Sequence, residues 1–440
     1  MWRGLAIRGA LGEGVLTAGF SRIDGTLYCD GVPLDALARE VGTPSYVYSA
    51  PSIREQYARL SEAFAATPHR LHYSVKANSS LAILAVLQEM GSGVDIVSGG
   101  ELFRALKAGY RGSDIVFSGV GKTEAEIEAA VAADVLLINI ESEEELLLVD
   151  QVASRMNHRA RIALRVNPEV TVDTPHPYTR TGEKGMKFGI PYDEALRVAT
   201  VAIGLRNVLL AGLDMHVGSQ IALFGPYETG LQRLLALLDQ MKAAGASEIR
   251  YVDIGGGLAV TYDTERPLDV AQLGTRIAAM LTGTGLELIM EPGRFVVGNA
   301  GVLLTKVLYR KRSGGKEYVI IDAGMNDLLR PSHYNAYHRI EPVTPVTPVG
   351  GRIVADVVGP VCESGDFFAL NREIDDVSAG DILAVHSAGA YGFVMASQYN
   401  SRPKAAEVMV DGERYGIITE RETYDDLVSG EHVIPQWSTL

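Results

Sequence analysis

Between residues 70 and 300 the apolar positions fall into short β-branched runs, separated by longer stretches in which apolar residues recur at helical spacing. That alternation is the signature of βα units around a parallel sheet. The runs cover 71–75, 94–97, 114–117, 135–138, 161–166, 213–217, 251–254 and 286–290. Eight of them, over about the length of one (β/α)₈ barrel, favour closure into a barrel over an open doubly wound sheet. Ser142 followed by Glu145, ahead of an apolar stretch at 146–149, predicts a capping box on one intervening helix. No self-similar period of about 20 to 50 residues runs through the chain, which argues against a solenoid.

Beyond residue 300 the pattern changes to strands broken by Gly and Pro turns: VLLTKVLY, KEYVIIDAG, GRIVADVVG, GDILAVHSAGAYG and AEVMVDGERYGIIT. This predicts an all-β unit. Its long interruption, 341–351, spaces Pro342, Pro345 and Pro348 three apart, as an extended polyproline-type loop would. The first 45 residues hold one weak strand, 25–29, and a short helix, which are expected to join the β unit. The fold class expected is therefore α/β: a TIM-type barrel over 46–300, with 1–45 and 301–440 forming a β sandwich or barrel.

A chain of 440 residues exceeds what one hydrophobic core usually supports, in agreement with two units. Its 47% apolar and 21% charged residues are those of a folded globular protein. With 40 basic against 54 acidic residues, the net charge of −14 speaks against nucleic acid or an anionic membrane as partner. An anionic substrate would need its own cluster of Arg or Lys. Two cysteines, Cys29 and Cys362, are too few for a disulfide framework or a cysteine-based zinc site, so no metal is expected and a reducing compartment is. Arg8 and Glu13 interrupt the apolar N-terminus, and no run of about 18 apolar residues occurs, so the expected location is cytoplasmic.

In a barrel the chemistry sits at the C-terminal ends of the strands. The first run ends in Lys76-Ala77-Asn78, the second in Ser98-Gly99-Gly100-Glu101, the sixth in His216-Val217-Gly218-Ser219, the seventh in Gly255-Gly256-Gly257 and the eighth in Glu291-Pro292-Gly293-Arg294. Each has a plain structural reading: a solvated lysine, a tight turn, an interior histidine, a helix cap, and for Cys362 a small buried hydrophobe. Together they suit one chemistry. A lysine able to form a Schiff base, glycine amides to cradle a phosphate, a carboxylate to pair with a pyridinium nitrogen and an imidazole to lie against a flat ring describe a pyridoxal-phosphate site.

Six segments carry a resemblance over nearly the whole chain. They are Tyr73 to Asn78 (YSVKAN), His216 to Gln220 (HVGSQ), Glu291 to Arg294 (EPGR), Met325 to Pro331 (MNDLLRP), Cys362 to Asp366 (CESGD) and Tyr399 to Pro403 (YNSRP). In this order they resemble the diaminopimelate decarboxylases, which have the fold-type III barrel of alanine racemase and the group IV decarboxylases. The resemblance implies that Lys76 binds the cofactor, pyridoxal 5'-phosphate, covalently, with His216 stacked on its ring and Glu291 at its pyridinium nitrogen. It implies phosphate contacts from Ser219, Gly256, Gly257, the backbone of Gly293 and Arg294, and Tyr391. Arg294, Arg330, Tyr334 and Tyr391 would meet the distal carboxylate of the substrate, Glu363 its distal ammonium, and Cys362 would donate a proton. A head-to-tail homodimer with shared sites is likewise implied, with the β unit completing the active site and the dimer interface. Two departures stand out: Ser74, where many members have alanine, and Arg180, added within the mobile-loop segment 176–189.

The implied reaction is decarboxylation of meso-2,6-diaminopimelate at its D centre to L-lysine and carbon dioxide, the last step of lysine biosynthesis. Two arginines and a glutamate beyond those the cofactor requires suit a second zwitterionic head. The alternatives are a related decarboxylase acting on ornithine, lysine, arginine, carboxynorspermidine or another carboxylated diamine, and a cofactor-carrying regulatory protein. An alanine racemase would call for arginine where this chain has Glu291.

Overall fold

The computed structural model describes residues 19–172, 174, 176, 181–346, 351–434 and 437. Arg8, Glu13, Arg180 and Pro348, which figure in the expectations above, lie outside them. Eight parallel strands, His69–Ser74, Gly93–Ile96, Ile115–Phe117, Leu137–Ile140, Ala160–Asn167, Val208–Asp214, Tyr251–Asp253 and Glu287–Met290, pair in chain order, and the last pairs with the first. The sheet is a closed barrel, as the hydrophobic runs predict. A two-residue strand, Ile190–Pro191, adds beside the fifth.

Successive side chains of a strand point to opposite faces, so each strand serves two environments. Val94, Ile96, Ile115, Phe117, Ile138 and Ile140 face outward and bury against helices such as Gly99–Lys107, Glu124–Ala132 and Glu143–Arg155. The alternate positions Val116, Leu137, Ala163, Ala211 and Ile289 form a separate apolar layer, with the opposite parity along the same strands. One step further along the strands that parity turns polar: Ser74, Asp95, Ser118, Asn139, Arg165, Asp214, Asp253 and Glu291 are all buried. An apolar floor thus carries a polar layer that leads to the C-terminal mouth.

Several boundaries differ from the sequence expectation. The sixth strand is Val208–Asp214, so His216 follows the strand instead of lying on it. Its hydrophobic alternation is broken by a bulge between Leu210 and Gly212. Ser142 caps its helix by accepting the Glu145 N–H at 3.1 Å, but the box stays open. The Glu145 carboxylate turns instead to the Glu141 N–H and the buried Lys122 ammonium, each at 2.7 Å.

The second sheet is mixed. It runs in the order Phe367–Asp375, Arg352–Val358, Lys316–Ile321, Gly301–Ser313, Ser45–Ser49, Ala406–Asp411, Arg414–Thr419, with Ile382–Val385 pairing both Gly301–Ser313 and Ile340–Pro342. Ser45–Ser49 lies antiparallel to Gly301–Ser313 and parallel to Ala406–Asp411, so the expected start of the barrel unit at 46 falls inside a strand of this sheet. The N-terminal segment holds three short strands, Phe20–Ile23, Thr26–Cys29 and Val32–Pro33, where one was expected, followed by the helix Leu34–Val41. Leu27, Leu34 and Leu37 pack there against Val47, Val302, Leu304 and Val408. The expected polyproline loop begins later than 341, because Glu341 and Pro342 pair with Ala384 and Leu383. Proline is tolerated there because the strand is an edge. Among the described residues no helix is long and apolar enough to cross a membrane.

Candidate active site

Lys76 lies in the single turn Val75–Ala77 that leaves the first barrel strand. Its Nζ donates to Asp95 Oδ2 at 2.6 Å and approaches Ser74 Oγ at 3.4 Å. Burial opposes its charge, but Asp95, Glu291 and Tyr391 together hold the ammonium above the ordinary lysine range. The amine opens into a cavity of about 440 Å³ at the barrel mouth, walled also by His216, Ser219, Arg294, Arg330, Tyr334 and Tyr391. An adjoining recess of about 40 Å³ shares Lys76, His216, Ser219, Arg294 and Tyr391 with it and adds Gly257, Glu291 and Gly293. Most residues singled out from the sequence therefore converge.

The imidazole of His216 accepts the Gly256 N–H on Nδ1 at 3.3 Å, which leaves Nε2 to carry its proton. Burial, with the nearby Arg165 and Lys76 charges, lowers its pKa to about 3, so the ring is neutral and suited to lie against a flat cationic ring. Glu291 places Oε2 3.9 Å from that Nδ1 and accepts the Ser118 hydroxyl on Oε1 at 3.0 Å. Burial and the carboxylates of Asp253, Asp95 and Asp214 push the Glu291 pKa well up. Asp214, buried but partly relieved by Arg165, is raised to about 7. Several carboxyls crowded this closely cannot all be ionised, and a cationic ring nitrogen would relieve them.

The glycines are required by packing. A Cβ on Gly256 would lie 2.2 Å from the Glu291 carbonyl oxygen, and one on Gly257, whose φ is +84°, would lie 2.1 Å from that of Gly218. A side chain at Gly293 would strike Ala77 and Ser74. These close approaches keep the recess lined by backbone.

Arg294 donates to Tyr262 Oη at 2.5 Å and to Ser219 Oγ at 3.3 Å, with its guanidinium 4.8 Å from the Tyr391 ring centre. Among the described residues its buried Nε has no partner. Arg330, at the start of the short helix Arg330–Tyr334, donates to His338 Nε2 at 3.4 Å and stacks 5.0 Å over the Tyr262 ring. His338 is held as a neutral acceptor: its Nδ1 bonds the His386 carbonyl at 2.8 Å, and burial beside Arg330 lowers its pKa to about 3. Among the described residues neither arginine forms an ion pair with a carboxylate. Two buried cations with neutral partners are a standing site for anions.

Tyr391 comes from the second sheet, in the segment after Ile382–Val385, with φ +55°. Its N–H bonds the Ala77 carbonyl at 2.8 Å, and Asn78 Nδ2 bonds that of Gly389 at 3.1 Å, fastening this segment to the lysine turn. Cys362 and Glu363 are not brought to this cavity. Both are exposed on the loop 359–366, where the Cys362 N–H donates to Asn400 Oδ1 at 2.7 Å.

Sequence reasoning missed Asp95, the partner of Lys76, and Tyr262, which touches both arginines. Asp95 was signalled by its parity: a carboxylate at an inward position of the run Val94-Asp95-Ile96. Tyr262 had no such signal, standing alone in a polar loop after the triple glycine.

Residues 50–298 match the family described as pyridoxal-dependent decarboxylase, pyridoxal binding domain. The diaminopimelate decarboxylase of Aquifex aeolicus is 46% identical over 410 residues, which cover 92% of this chain and 95% of that protein. That of Pseudomonas aeruginosa is 46% identical over 417 residues, 95% of this chain and 99% of its own. The crystal structure of diaminopimelate decarboxylase from Helicobacter pylori complexed with L-lysine superposes with a TM-score of 0.86 at 39% identity, covering 90% of this chain and 98% of that one. With a closed barrel, a lysine and an anion-seeking arginine pair at its mouth, and likeness of this extent along both sheets, the chain belongs to the diaminopimelate decarboxylase family of pyridoxal-dependent enzymes.

Proposed function

We propose that the chain removes the carboxylate at the D centre of meso-diaminopimelate, releasing carbon dioxide and L-lysine, with pyridoxal phosphate as cofactor. The observation that carries this reading is one cavity with an amine at one end and two guanidiniums without carboxylate partners at the other. One anion is accounted for by the cofactor's phosphate. The second is the distal carboxylate of the substrate, which a monocarboxylic basic amino acid lacks.

The residues fit the cofactor. The Nε of Arg294, unpartnered among the described residues, and the glycine-lined recess suit a phosphate, and the crowded carboxyls around Glu291 suit a ring cation. When bound, pyridoxal phosphate supplies an electron sink for the pair left as the carboxylate departs. Lys76 holds it covalently. Ser219, Gly256, Gly257, the backbone of Gly293 and Arg294, and Tyr391 serve its phosphate, although the Gly256 N–H is here directed to His216. Glu291 keeps the ring nitrogen protonated, and His216, neutral, covers the ring. Arg330 and Tyr334, with Arg294 and Tyr391, orient the distal carboxylate.

Cys362, as proton donor, and Glu363, as the ligand of the distal ammonium, act in the site of a second copy within a homodimer. Their exposure, away from their own chain's cavity, supports this. The test of the activity is carbon dioxide release by purified, cofactor-loaded protein from meso-diaminopimelate, L-lysine and L-ornithine in parallel. Release from the first alone is expected, and equal release from the other two would overturn the substrate.

A further inference from the structure

The Ser74 hydroxyl sits between three groups of the site. It lies 2.8 Å from Asp95 Oδ2 and 3.0 Å from the Glu291 carbonyl oxygen, both acceptors, and 3.4 Å from Lys76 Nζ. The Asp95 oxygen it reaches is the same one that receives the lysine ammonium at 2.6 Å. The neighbouring hydroxyl of Ser118 donates to Glu291 at 3.0 Å and also favours the ionised form of Asp95. Ser74 is almost wholly buried, so no solvent would replace its bond.

We propose that Ser74 is a positioning residue for Lys76: by donating to Asp95 it draws charge from the oxygen that holds the ammonium and so eases release of the free amine. The free amine is the form that reacts. Lys76 Nζ gives its lone pair to the aldehyde carbon of the cofactor, a C=N bond forms, and the aldehyde oxygen leaves with both amine protons as water. An ammonium held tightly by Asp95 cannot begin this step. This rests on the reading of Lys76 as the cofactor's lysine.

The sign follows from two opposed contacts. As a donor to a carboxylate at 2.8 Å, Ser74 weakens the Lys76–Asp95 pair. As an acceptor from Nζ at 3.4 Å, it steadies the ammonium. A short charge-assisted bond outweighs a long one to a neutral oxygen, so the donor role decides. Other charged or titratable groups bear on the amine from neighbouring elements: Glu101 on the helix Gly99–Lys107, Asp214 at the end of the sixth strand, His216 just after it, Glu291 after the eighth, and Tyr391. A change confined to the Ser74 hydroxyl leaves all of them in place.

The experiment follows covalent capture of pyridoxal phosphate by full-length protein stripped with hydroxylamine, read as growth of the visible band across a pH series. Ser74→Ala is expected to move the midpoint of the rate profile to higher pH by about half a unit or more. Ser74→Cys, nearly the same size and a weak donor, should fall between the two. A Ser74→Ala profile that superposes on wild type, or shifts to lower pH, overturns the proposal even if turnover falls. Failure of the wild-type protein to capture the cofactor would instead overturn the reading of Lys76.

Discussion

The Nζ of Lys76 and the Oδ2 of Asp95 are 2.6 Å apart across the gap between the first and second barrel strands. Asp95 is buried on the strand while Lys76 opens to the cavity, so the amine is held at the edge of that space. Replacing Lys76 with alanine removes the described amine that faces this cavity. The variant should show no visible band with pyridoxal phosphate and almost no turnover. A borohydride-reducible adduct in Lys76→Ala would refute the assignment.

Arg330→Ala should raise the KM for meso-diaminopimelate and leave the cofactor bound. Losing a charge-assisted contact worth about 1.5 to 3 kcal/mol corresponds to a rise of roughly ten- to a hundredfold. Loss of cofactor on gel filtration would instead place Arg330 at the phosphate end.

Tyr262 serves the two arginines by different parts of its side chain: the hydroxyl bonds Arg294 and the ring lies under Arg330. Tyr262→Phe should therefore weaken cofactor binding and raise KM, each by up to about tenfold, since Arg294 serves both anions. Tyr262→Leu should raise KM further, since Arg330 also loses its aromatic face. Fluorescence titration of the stripped protein with cofactor, beside steady-state kinetics, separates the two effects.

Subunit exchange tests the shared site. When Lys76→Ala and Cys362→Ala chains are unfolded together in equal amounts and refolded, about half of the dimers pair unlike chains, and each of these has one complete site. Activity should return to roughly a quarter of wild type from near zero in either parent. If Cys362 served its own chain, mixing would restore nothing.

Glu341 receives Arg339 at 2.7 Å and Arg22 at 3.0 Å, with His386 Nε2 at 2.7 Å. Burial opposes its ionisation, but these partners prevail and lower its pKa from 4.5 to about 2. A folded-state pKa below the unfolded one stabilises above the unfolded value, and that stabilisation is lost as pH falls through the folded value. Glu341→Gln should thus lower the melting temperature at neutral pH, at a cost of up to about 3 kcal/mol. The gap to wild type should narrow between pH 4.5 and 2.

The barrel was legible because its strands are rich in Val, Ile and Leu at positions that face the helices. The polar layer within it was not, because Asp95, Asn139 and Arg165 each interrupt an apolar run and read as noise until the strand's two-residue period is applied. The sixth strand was placed late because its bulge at Gly212 breaks that period. Lys76, Glu291 and the glycines were legible from their place at strand ends. Ser74 stands out in the sequence only as a departure, a serine for an alanine that changes size by one atom; its meaning lies in an oxygen 2.8 Å away on another strand. Cys362 reads as a site residue by its motif alone, and its exposed place away from the cavity follows from a chain path that no spacing encodes.

The strand Ser45–Ser49 is flanked by partners from far later in the chain, 301–304 on one side and 406–410 on the other. A ribosome delivers these in order, so all eight barrel strands emerge while that strand still lacks both neighbours. Its buried Tyr46 and Tyr48 must wait for residues 406–410 before their sheet can close. Tyr391 reaches the lysine turn equally late, so a truncated chain can carry every barrel strand and still lack a finished mouth. The cavity at the barrel mouth is thus walled only once residue 391 has been made and has folded back onto the lysine turn.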